Sequence, residues 1–173
     1  MTEIKNYDAA AYTFYNSLKI KALPIVSWDL YATFFHSVCD MHQDIFLLKN
    51  LAKNNKWSYS ENFDEALLEK KNVIVVTDAQ LKIVHATQNM VQMNGYYPEE
   101  IIGKKPKIFQ GVDTCKKTSN IIRTAINNKR PFEVSLLNYR KDNSTYMCWI
   151  KGEPVFNKFG EVVNFIAYEK EVA

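Results

Sequence analysis

Apolar residues recur at spacings of three and four through Leu30, Phe34, Val38, Met41, Ile45 and Leu48, and this period predicts one long helix of about 25 residues. Ser27 is its expected N-cap, just before Trp28. A second row, Tyr31, Phe35, Cys39 and Phe46, widens the apolar face beyond one seam. Such a helix needs cover on two sides, a sheet on one and a second copy of the chain on the other. Pro24 separates it from a shorter helix over 9–19, and Asn62 with Glu65 forms a capping pair opening a third helix through Lys70.

Past Lys71-Asn72 the period shortens. Two β-branched runs, 73–78 and 81–86, split by Ala79-Gln80, predict a hairpin. Short helices over 88–93 and 98–102 follow, the second opened by Pro98 and stopped at Gly103. A longer helix over 114–127 turns Ile121, Ala125 and nearby Ile122 and Ile126 inward. Three strands, 132–140, 145–154 and 161–168, close the chain through turns at 141–144 and 157–160. The expected class is α+β, with an N-terminal helical cap and dimerisation region over 1–71 and a sheet domain over 72–173.

Charge and composition narrow the function. The formal charge of +3 is too small to argue for nucleic acid, and the basic cluster around Lys104, Lys105, Lys107 and Arg123 is balanced by Glu99, Glu100, Asp113 and Glu133. Nucleic acid is therefore not an expected partner. No window reads as a membrane span or signal peptide, and three widely spaced cysteines read as reduced thiols, so the expected location is cytoplasmic. Nucleophile-elbow, phosphate-loop and zinc-protease motifs are missing, and a non-enzymatic role is expected. His36, Cys39 and His42 spread about 120° around the helix, too wide for one tetrahedral metal ion. They read as packing residues, as does His85 on the second strand.

Asn94-Gly95-Tyr96, Gly103-Lys-Lys-Pro-Lys-Ile-Phe-Gln-Gly111 and Leu137-Asn-Tyr-Arg-Lys-Asp142 occur in that order. Together they resemble a PAS sensor domain over roughly the last 100 residues, closest to the flavin-binding, LOV-type branch. The resemblance implies a five-stranded antiparallel sheet with crossing helices and a flavin, FAD or FMN, wedged between them. It also implies roles residue by residue. Lys107 and Arg123 would meet a flavin phosphate, Gln110 the sugar-like chain and Asn138 the polar edge of the ring. Cys148 stands where a second edge-reading asparagine is expected, and Glu169 at or beside the glutamine that reports flavin state. The adduct-forming cysteine is replaced by Pro106 and its neighbour by Lys105, so adduct chemistry is excluded. Two readings follow. One is a cytoplasmic sensory protein that holds a small ligand and relays its state to an unidentified signalling partner, as a homodimer through its N-terminal helices. The other is a ligand-free adaptor or dimerisation module whose pocket is filled by Met90, Met93, Phe109, Met147, Trp149 and Phe165.

Overall fold

The computed structural model describes residues 26–58 and 62–172, with side chains from residue 36 onward except residue 69. The helix expected over 9–19 lies outside the described residues. The long helix, α1, spans Val26–Asn54. After a π-helical turn at Glu65–Glu69 come β1 (Val73–Asp78), β2 (Ile83–Ala86), α2 (Met90–Asn94), α3 (Pro98–Ile101), a 3-10 turn (Pro106–Phe109), α4 (Lys116–Asn127), β3 (Phe132–Tyr139), β4 (Thr145–Phe156) and β5 (Val162–Val172). The sheet order is β2-β1-β5-β4-β3, and every neighbouring pair is antiparallel. First and last strands thus meet in the middle, and the helices between β2 and β3 close one face.

Strand alternation sorts the sheet into two faces. On the inner face Val73, Val75, Ile83 and Ala86 join Leu136, Cys148 and Ile150 and pack with Met90, Met93, Ile101 and Phe109. On the outer face Ile74, Val76, Val155, Ile166 and Tyr168 pack against Ile45 and Leu48 of α1 and against Trp57, Phe63 and Leu67. β1 is buried on both faces, which is why it reads as an unbroken Val-Ile-Val-Val run. Burying Leu48 completely contributes about 1.5–3 kcal/mol.

Polar contacts fix how the C-terminal part of α1, from Ser37 onward, and the segment after it sit on the sheet. Asn164 of β5 accepts from Trp57 Nε1 at 2.9 Å and Asn55 Nδ2 at 3.1 Å while donating to the Thr77 carbonyl at 2.9 Å. Asp44, 3 % exposed, accepts from the Gln88 amide at 2.8 Å and lies 3.9 Å from His85 Nε2. Burial raises the Asp44 carboxyl to about 6, opposed by the Gln88 hydrogen bond and reinforced by Asp40. It lowers His85 to about 4.

Several expectations change. Of the second apolar row, Cys39 and Phe46 are exposed on α1, while Tyr31 and Phe35 lie outside the described side chains. The third helix is a short π-helical turn, with Asn62 Oδ1 accepting from the Glu65 amide at 3.4 Å. Of the α4 residues expected inward, Ile122 and Ile126 do line the interior, whereas Ile121 is 56 % exposed, because α4 meets the sheet along a narrower seam. Met147 and Trp149, expected as pocket fillers, pair in register with Leu137 and Ser135 on the outer face. Their parity is one residue away from that of inward Tyr146, Cys148 and Ile150. Finally, β5 runs to Val172 rather than ending at Tyr168, so Glu169 lies inside the strand.

Candidate ligand-binding site

Between the inner face and the crossing helices lies a cavity of about 100 Å³. Its walls are mostly apolar: Phe109 from the 3-10 turn, Ile122 and Ile126 from α4, and Phe132, Ile150 and Phe165 from the strands. Close backbone approach shapes one side. Gly152 faces Phe132 across the β3–β4 ladder, and a Cβ there would lie 2.2 Å from the Phe132 ring. Gly111 similarly lies under Tyr139.

The loop carrying Gln110 is pinned to β3. Thr114 Oγ1 donates to the Leu137 carbonyl at 2.8 Å and accepts from the Gly111 amide at 3.0 Å, and the Tyr139 hydroxyl donates to Asp113 Oδ2 at 2.7 Å. At the far end of β3, Arg140 donates to the Met93 carbonyl and to Glu171 Oε1 at 2.7 Å, with its guanidinium 4.5 Å from the Tyr146 ring centre. Lys141 Nζ meets Glu100 at 2.6 Å. These contacts tie α2 and α3 to the end of β3.

Polar groups collect on this inner face. Asn138 is 2 % exposed, borders the cavity, and its Oδ1 has no hydrogen-bond partner among the described residues. Beside it the Tyr146 hydroxyl is flanked by the amides of Asn94 and Asn138, yet neither this hydroxyl nor Asn94 Nδ2 is paired. Glu169, 4 % exposed, also borders the cavity, and the Cys148 thiol donates to its Oε2 at 3.8 Å. Burial raises Glu169 to about 7, only partly opposed by that thiol. It also pushes Cys148 up, reinforced by the Glu169 charge, and pushes Tyr146 up. An unpaired buried polar group costs about 1–3 kcal/mol, so this cluster is a site with unmet hydrogen-bonding capacity.

Of the residues expected from sequence, Gln110, Asn138 and Glu169 border one cavity, with Cys148 packed against Glu169. Lys107 and Arg123 are exposed, adjacent in sequence to the lining residues Pro106 and Ile122. Sequence reasoning missed Tyr146, although strand alternation puts it opposite Asn138. Asn94 enters the sequence reading only within the Asn94-Gly95-Tyr96 motif, whereas its side chain is fully buried at a helix end. His36 and His42 are exposed on α1.

The fold and this inner chamber define a PAS-type domain, and the chain belongs to the PAS domain family, whose model matches residues 71–172. Within that family it is similar to light-responsive members. It is 39 % identical over 113 residues to Protein TWIN LOV 1 of Arabidopsis thaliana, a match covering 63 % of this chain and 28 % of that protein. It is 33 % identical over 102 residues to a blue-light photoreceptor of Listeria monocytogenes, covering 57 % of this chain and 40 % of the relative. The chain thus spans less than half the length of these curated relatives. Among solved structures, the dark form of the Aureochrome1 LOV blue-light photoreceptor aligns with a TM-score of 0.60 and 28 % identity, covering 67 % of this chain and 86 % of that one. A light-oxygen-voltage domain from work with a flavin analogue aligns with a TM-score of 0.59 and 28 % identity, covering 63 % and 83 %. No helix among the described residues is long and apolar enough to cross a membrane.

Proposed function

We propose that this PAS domain is a sensory module that holds a flavin in its inner chamber and passes the state of that ligand to protein partners without forming a cysteine adduct. The carrying observation is the unpaired Asn138 Oδ1, buried at the margin of an otherwise largely apolar cavity. A planar heterocycle with a polar edge satisfies such a chamber. Asn138 would hold that edge and Gln110 the ribityl-like chain, while Phe109, Ile122 and Ile126 exclude water. Lys107 and Arg123 are free to supply charge to a phosphate at the rim, FMN or FAD alike, although lysine lacks the fork of arginine. When bound, a flavin supplies redox and light-absorbing chemistry that none of these side chains has.

The route outward runs through β5. Glu169 faces the chamber, while its neighbour Tyr168 belongs to the outer cluster that includes Ile45 and Leu48 of α1. A change in hydrogen bonding at Glu169 thus reaches Ile45 and Leu48 of α1 through one peptide unit, and the N-terminal region over 1–71 is the segment we assign to dimerisation and partner contact. A second reading, the ligand-free adaptor, is favoured by the filling of the inner face with Met90, Met93 and Phe109 and by the modest cavity. An absorption spectrum of the purified protein, before and after adding flavin, decides between them. Flavin bands in the bound fraction support the sensor, and a featureless spectrum after adding flavin refutes it. Replacing Asn138 by Leu is expected to lower flavin occupancy while far-UV circular dichroism stays unchanged; undiminished occupancy refutes the role given to Asn138.

A further inference from the structure

The inner end of the cavity is built from two groups that, at high pH, are both acceptors. Asn138 offers an unpaired Oδ1, and a deprotonated Glu169 offers only carboxylate oxygens. Among the described residues no cation balances Glu169 within the chamber. Its register partner on β1 is Val73 and on β4 is Ile150, and its polar neighbour is the Cys148 thiol. The Arg140 guanidinium at the same end is bound to Glu171. Glu153, which also borders the cavity, is paired with Lys151 at 2.7 Å.

We propose that Glu169 is the specificity-determining group of the chamber and works as a carboxylic acid. Protonated, it is a hydrogen-bond donor lining the same cavity as the Asn138 acceptor, with Cys148 a neighbour of both, and the pair selects a heterocycle whose polar edge presents both an acceptor and a donor. Ligand binding is then linked to uptake of one proton, a property that a glutamine at this position would not have. The inference rests on the flavin reading above and specifies how that site recognises its ligand.

The linkage has a definite sign. A ligand that accepts from the acid form binds it in preference to the carboxylate, so affinity is greatest below the pKa of the free site and falls as pH rises through it. Burial places Glu169 at about 7. Cys148 and Tyr146, the other titratable groups facing it, are both pushed upward by burial and stay neutral throughout this window. His85 and Asp44 lie on the outer side and are common to all proteins compared.

The probe is riboflavin, which lacks a phosphate and so does not titrate near neutrality, added to the full chain while its fluorescence quenching is followed from pH 6.5 to 8.5. The wild-type dissociation constant is expected to rise roughly twenty- to thirtyfold across that range. Mixing at pH 8 in weak buffer should take up close to one proton per riboflavin bound. Glu169→Gln keeps an amide donor but cannot titrate, so its affinity should be flat with pH and its proton uptake nil. Wild-type binding that is flat with pH, or a Glu169→Gln protein that retains the wild-type slope, overturns this inference and leaves the flavin reading standing. Absence of riboflavin and FMN binding at every pH overturns both. Should Glu169→Gln fail to fold, the proton count on the wild-type protein decides alone: near one supports the proposal and near zero overturns it.

Discussion

Burying Glu169 should leave a pH-dependent mark on stability even without any ligand. Its carboxyl rises from an ordinary value of 4.5 to about 7, so the folded chain holds this proton more tightly than the unfolded chain. The stability this proton contributes is full below pH 4.5 and is lost as pH rises to 7, where the folded protein must bear a buried carboxylate. At about 1.4 kcal/mol per pKa unit, the full loss is about 3–4 kcal/mol, of which about 2 kcal/mol falls between pH 5.5 and 8.5. Two other buried groups act in the same range. Asp44, raised to about 6, also costs stability as pH rises, whereas His85, lowered to about 4, costs stability as pH falls below 6.5. Both are unchanged in Glu169→Gln, so the informative quantity is the difference between the two proteins. Urea unfolding of each at pH 5.5 and 8.5 should show Glu169→Gln gaining about 2 kcal/mol on the wild type across that interval. Parallel profiles would refute the reasoning, because they require Glu169 to titrate alike in the folded and unfolded chains.

The remaining predictions probe the walls of the chamber and the helix behind the sheet. Gly152→Ala places a methyl 2.2 Å from the Phe132 ring; the ring must turn within a packed interior, and a loss of about 1–3 kcal/mol in chemical unfolding is expected. Leu48→Ala removes a completely buried side chain that joins α1 to the outer face, with an expected cost of about 2–5 kcal/mol by the same assay. Replacing Lys107 and Arg123 together by Ala should weaken FMN binding about tenfold or more while changing riboflavin binding little. Equal effects on the two ligands would remove these residues from the phosphate site.

Most of the architecture was legible in the sequence because each element states its own period. The three-and-four spacing from Leu30 to Leu48, the Val-Ile-Val-Val run and the alternation through 132–168 all correspond to observed elements. Gln110, Asn138 and Glu169, which the family resemblance singles out on three separate segments, border one cavity. Alternation, however, states only which residues of a strand share a face. It does not say which face meets the helices, so composition alone offers Met147 and Trp149 as pocket fillers although their parity puts them outside.

That choice depends on long-range pairing. β5 lies between β1 and β4, and this register turns Glu169 inward and Tyr168 toward α1. The unpaired state of Asn138 Oδ1, Asn94 Nδ2 and the Tyr146 hydroxyl likewise arises only when three separate elements converge. Sequence by itself determined the elements, their alternation and the residue types available for recognition, since these depend on local sterics and side-chain period. Tertiary structure decided the burial of Glu169, the opposed shifts of Asp44 and His85, and the pairing of chamber groups, because desolvation and hydrogen-bond satisfaction depend on neighbours distant in the chain.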